Sequence, residues 1–140
     1  MKRTLFGALM TLIVAFAVAT PMVHAQTIMT ANVPFAFTVG QQQLPAGAYS
    51  VREIGDRATL IQSKDGRDHV MGVYANAGPS RNGEAKLVFD KVGDRYFLSQ
   101  IWTNASDHGL SVPESKLEKE MRAANSEPSG GAETVIVALR

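Results

Sequence analysis

Large apolar residues recur at every second position over much of the chain. Val33, Phe35, Phe37 and Val39 alternate with Pro34, Ala36, Thr38 and Gly40, and Tyr49 and Val51 resume the alternation after Leu44-Pro45-Ala46-Gly47. Period two places one set of side chains on one face of a strand, so VPFAFTVGQQQLPAGAYSV predicts a half-buried hairpin that starts the core. Ala58 to Lys64 and His69 to Ala75 flank Asp65-Gly66, the signature of a type I′ hairpin in which both central residues take positive φ. A polar loop, Gly78 to Gly83, separates these from strands predicted over Lys86 to Asp90 and Arg95 to Thr103, which turn at Gly93-Asp94. The last places Tyr96, Leu98 and Trp102 on one face and Phe97 and Ile101 on the other, as in a central strand covered on both sides.

The period changes at Pro113 to Ala124. Leu117, Met121 and Ala124 recur at helical spacing among Glu114, Lys116, Glu118, Lys119, Glu120 and Arg122, which predicts a short amphipathic helix with that apolar trio inward. Pro113 suits its first turn, and Glu114 and Glu118 suit its positive end. Its Lys and Glu residues leave the polar face neutral, which favours packing on the sheet over membrane binding. After a Ser-, Pro- and Gly-rich loop from Asn125 to Gly131, Thr134 to Leu139 predicts a buried closing strand. The expected fold is therefore mainly β: one antiparallel β-sandwich or barrel of about seven strands, six of them in meander order, with one short helix before the last strand. The alternative is an α+β sheet with the helix across one face. Phe35, Phe37, Tyr49, Leu60, Phe89, Leu98, Trp102 and Val137 are expected to fill one interior and leave no large enclosed pocket.

The N-terminal end adds a destination. Lys2 and Arg3 precede an apolar run from Leu5 to Ala19, then Pro21 and the small pair Val23 and Ala25, which is the layout of a secretory signal peptide over residues 1–25. The run is shorter than the roughly 20 residues of a membrane span. Residues 26–140 are expected to form a single β-rich domain, exported to the periplasm or the medium without a transmembrane anchor. Without Lys2 and Arg3 the chain carries 12 basic and 13 acidic side chains, too balanced for nucleic-acid binding. The absence of Cys excludes disulfides, thiol catalysis and Cys-based zinc sites.

The series VPFAFTVG, LPAGAYSV, KLVF, RYFLSQIW and SKLEKEM resembles a group of short exported bacterial proteins with no established activity. The resemblance spans nearly all of residues 26–140 and implies export and a β-rich fold. It transfers no catalytic residue.

Candidate chemistry is sparse. Asp68-His69 and Asp107-His108 could hold a metal only if the two histidines met in space with Asp65 or Asp107 beside them, because adjacent strand residues point to opposite faces. Ser106, Asp107, His108 and Ser111 include triad residue types but crowd into one loop without a nucleophile elbow. Glu53, Glu84, Asp90 and Asp94 have no cleft implied between them. Tyr49, Tyr74, Tyr96 and Trp102 could form a glycan platform, although aromatics at strand spacing more often belong to a core. Asn104-Ala105-Ser106 is a glycosylation sequon that matters only in a glycosylating host. No residue is assigned a catalytic, cofactor-binding or metal-binding role, and no cofactor is expected. The leading expectation is a non-catalytic exported module that binds a protein, glycan or envelope component through its loops. An apolar-ligand (lipid) carrier and a small enzyme or metal protein built on the Asp-His pairs are the alternatives.

Overall fold

In the computed structural model, which describes residues 27–55, 57–79, 83–104, 106–125 and 132–140, Pro34 decides the opening architecture. Proline has no N–H for a sheet ladder, and the alternating stretch is cut there. β1 (Ile28–Val33) ends at Val33, and β2 (Phe37–Val39) starts three residues after Pro34. β2 returns at once on β3 (Gln42–Leu44) around Gly40, whose φ of 59° suits a residue without Cβ. β1 instead pairs with β4 (Gly47–Ile54), Ala31 opposite Tyr49 and Val33 opposite Gly47. The predicted single hairpin is thus two nested ones in different sheets. The leader predicted over residues 1–25 lies outside the described residues, as does the predicted loop after Asn125 up to Gly131.

β4 continues the first sheet through β5 (Ala58–Ser63) to β6 (His69–Val73), in the order β1-β4-β5-β6. The hairpin at Asp65-Gly66 is present but wider than a type I′ turn. Gly66 has φ 75°, whereas no described non-glycine residue has positive φ, so Asp65 does not take the conformation that turn requires. The Gly66 N–H donates to the Ser63 carbonyl at 2.9 Å, and the Ser63 N–H donates to the Asp68 carbonyl at 2.8 Å.

The second sheet runs β11 (Glu133–Ala138), β8 (Lys86–Val92), β9 (Arg95–Trp102), β10 (His108–Ser111), β7 (Ala75–Pro79), with β2 added in parallel to β9. The described residues hold eleven strands. The additional four, β1, β3, β7 and β10, have three to six residues each; β1 alternates Met29, Ala31 and Val33 inward with Thr30 and Asn32 outward, while the other three have little apolar alternation. The result is a mainly β, sandwich-like fold of two sheets, not a closed barrel, with one helix before the last strand. Thr30 of β1 and Arg140, just after β11, exchange backbone hydrogen bonds of 2.7 and 2.9 Å and join the sheets along one flank.

Between the sheets lie Val33, Phe37, Leu44, Tyr49, Val51, Ile61, Leu87, Phe89, Leu98, Ile101 and Leu110, all buried. Phe37 meets Tyr49 and Phe89 edge-to-face, both at 5.2 Å between centroids. Two residues expected in this interior lie elsewhere. Leu60 faces away from the core, half-buried, between the inward Thr59 and Ile61. Trp102 is displaced by a bulge: Val88 opposes Gln100 while Phe89 opposes Leu98, so Ser99 has no residue opposite it on β8 and the alternation slips by one. Leu98 and Ile101 therefore share the core face, and Trp102 falls on the other side.

The helix α1 (Lys116–Ala124) starts later than Pro113, at Ser115, whose Oγ accepts the Glu118 N–H at 3.1 Å. Its orientation also differs from the apolar-trio expectation. Leu117 is exposed and Glu118, only 4 % exposed, is the buried residue. Electrostatics explains the rotation: Arg122 reaches Asp90 of β8 at 2.9 Å, Glu118 at 3.0 Å and Glu114 at 2.9 Å. A guanidinium with five donors can hold several carboxylates together, and this one fixes the helix to β8. β11 is likewise not a fully buried strand. It forms an edge of its sheet, with Val135 and Val137 half-buried against the core and Ile136 exposed.

Candidate functional site

The chemistry-bearing residues singled out in the sequence are dispersed. His69 stands exposed on β6 of the first sheet, and His108 opens β10 of the second. Among the described residues no group of three or more His, Asp or Glu is placed to hold a metal ion. Asp65 serves its hairpin, accepting from the Ser63 hydroxyl and from the Arg67 N–H, and these hydrogen bonds hold its carboxyl below the ordinary value. Ser106 does not join His108. Its Oγ lies 2.9 Å from both carboxylate oxygens of Glu53, which also accepts from the Thr103 hydroxyl. Glu53 therefore latches β4 of one sheet to the loop after β9 of the other. Asp90 is bound by Arg122, and Glu84 and Asp94 are exposed, so each of these carboxylates has a separate setting.

The four aromatic candidates are separate too. Tyr49 is buried and its hydroxyl donates to the Pro45 carbonyl at 2.5 Å; burial, with Asp68 and Asp65 nearby, pushes its pKa up. Tyr74 is buried against Gly72, where an added Cβ would strike its ring, and burial raises its pKa as well. Tyr96 stacks on Phe35 at 3.9 Å. Trp102 donates to Gln100 at 3.0 Å and covers Gly109. These contacts are packing, and the four rings share no common surface.

The distinctive surface is the outer face of the first sheet, formed by the positions alternating with its core residues. Cross-strand register divides it in two. One pair of rows is apolar: Ile54, Ala58 and Val73 stand side by side, next to Ile28, Arg52, Leu60 and Met71. Ile28 is 53 % exposed, Ile54 39 %, Met71 67 % and Val73 76 %, so this half carries most of the large exposed apolar side chains among the described residues. The next rows are polar: Thr30, Ser50, Gln62 and His69 side by side, then Asn32, Ala48 and Lys64. An open groove of about 790 Å³ lies over these, lined by Thr30, Asn32, Ser50, Gln62, Lys64 and Arg140 among others.

Charge on this face is uneven, with Asp65 exposed in the turn beside Lys64. The outward strand positions include Arg52 and no carboxylate, because Glu53 points inward to its latch. Lys64 and Arg140 add cations at the groove. The Arg52 Nε is buried without a hydrogen-bond partner in the protein. The usable sequence signal was the parity of β4 to β6: once Tyr49, Val51 and Ile61 are set inward, Met71 and Val73 fall on the far side with Arg52 and Leu60.

No helix among the described residues is long and apolar enough to cross a membrane. Compared with known protein families, with curated proteins and with solved structures, the chain finds no match.

Proposed function

We propose that this chain is an exported, non-catalytic binding module that engages a cell-envelope or extracellular component through the outer face of its four-stranded sheet. The observation that carries this reading is the uncovered face itself, where exposed Ile28, Ile54, Met71 and Val73 adjoin a groove of mixed polar and apolar lining with Lys64 and Arg140 at it, and no outward strand position holds a carboxylate. Large exposed apolar patches on folded proteins commonly mark interaction sites. Two further features agree with it. The interior is filled by Phe37, Tyr49, Phe89 and their neighbours, which favours a surface role over carriage of an apolar ligand inside. The Asp-His pairs stand apart, and Ser106 is engaged by Glu53.

The test is capture from the producing cell's envelope fraction with the exported protein as bait. Wild type should retain a component that Met71→Asp/Val73→Asp bait does not, while both keep the same melting temperature. Equal capture by both baits would refute the assignment of this face.

A further inference from the structure

Resting on the binding-module reading, we infer that the apolar half of the outer face docks on the surface of an anionic lipid bilayer. Ile54 on β4 and Met71 and Val73 on β6 project on either side of β5 from an uncovered sheet face, with Ile28 on the β1 edge, and the groove lies over the polar rows instead. Side chains that stand out separately from an open face suit a fluid partner, which closes around each of them, better than a rigid one that must match their shape. Aliphatic groups of this kind enter the boundary between head groups and acyl chains.

Charge selects the lipid. Arg52 sits half-buried inside the apolar rows, between Ile28 and Leu60, with its Nε shielded from solvent. Its methylene stem can lie along apolar surface while the guanidinium reaches a phosphate. Lys64 and Arg140 stand at the adjoining groove, where Thr30, Ser50, Asn32 and Gln62 offer polar groups to hydrated head groups beside the apolar Ala48, Val137 and Ala138. A negative surface potential attracts such cations, whereas a second copy of the same face would bring cations together with no strand carboxylate to pair them. At the β6 edge the Gln42 side-chain amide donates to the His69 carbonyl at 3.1 Å and occupies that one acceptor.

The experiment is flotation of the exported protein, as its producing cell processes it, with vesicles of phosphatidylcholine alone or mixed with phosphatidylglycerol. The protein should float with the mixed vesicles and about tenfold less with neutral ones, and added salt should release it. Met71→Asp/Val73→Asp should abolish flotation. Arg52→Gln should weaken it about fivefold on anionic vesicles and leave the weak neutral binding unchanged. Ile136→Asp, on the other sheet, should float as wild type does. Absence of flotation, or flotation indifferent to Met71 and Val73, would overturn the inference. So would a wild-type dimer that Met71→Asp/Val73→Asp dissociates in analytical ultracentrifugation. If flotation fails while capture from the envelope fraction still depends on Met71 and Val73, the lipid assignment falls and the module reading stands.

Discussion

Ser106 and Glu53 lie 53 positions apart in the chain, yet the Ser106 hydroxyl is 2.9 Å from both oxygens of the Glu53 carboxylate. With the Thr103 hydroxyl on the same carboxylate, this contact links the two sheets at a polar point away from the Thr30–Arg140 seam. Glu53→Ala should destabilise the fold by about 1–3 kcal/mol, because it strands the buried Thr103 hydroxyl. Ser106→Ala should cost less than that. Urea denaturation measures both, and equal stability of Glu53→Ala and wild type would remove the latch from the account.

Gly66→Val tests the hairpin between β5 and β6. Gly66 has φ 75°, and a β-branched residue there should cost about 1–3 kcal/mol. Space is not the obstacle, since the nearest atom to an added Cβ is the end of the Gln62 side chain at 3.7 Å. The melting temperature should fall for Gly66→Val and barely change for Lys64→Arg, an exposed position in the same turn.

Phe37→Ala should cost about 3–5 kcal/mol. Phe37 is 1 % exposed and meets two rings, Tyr49 of one sheet and Phe89 of the other. A near-neutral result by denaturant unfolding would mean that the interior is not filled there, and the carrier reading would then lead.

Much of the fold was legible because period-two alternation is a local signal. It located β4, β5, β6, β8 and β9, and the switch to helical spacing located α1. What it missed depended on partners distant in sequence. Trp102 and Ile101 exchange faces because of a bulge at Ser99, which only the pairing of β9 with β8 reveals. Leu117 is outward and Glu118 inward because Asp90, on β8, helps draw Arg122 to the sheet. The outer face is hidden in the sequence for a related reason: Met71 and Val73 look like core residues until the parity of β6 is set by Ile61 opposite Val70.

Glu118 gives the stability a defined pH dependence. Burial raises its pKa above the ordinary 4.5, with Arg122 opposing the shift. The folded state then holds this proton more tightly than the unfolded chain does. Its contribution to stability is fully present below the unfolded value and is lost as pH rises through the folded one. Unfolding free energies across mildly acidic pH should show wild type gaining on Glu118→Gln as pH falls through that window. Parallel curves would place Glu118 in solvent.

If the outer face of the first sheet is the binding surface, methionine oxidation should report its occupation. Met71 is 67 % exposed on that face, whereas Met29 is 4 % exposed in the core and Met121 is half-buried on the helix. Oxidation follows access to the thioether. In peptide mapping of the protein free and bound to the envelope fraction, binding should slow Met71 oxidation about fivefold or more and leave Met121 unchanged. Met71 oxidising at its free rate while the protein is bound would contradict it.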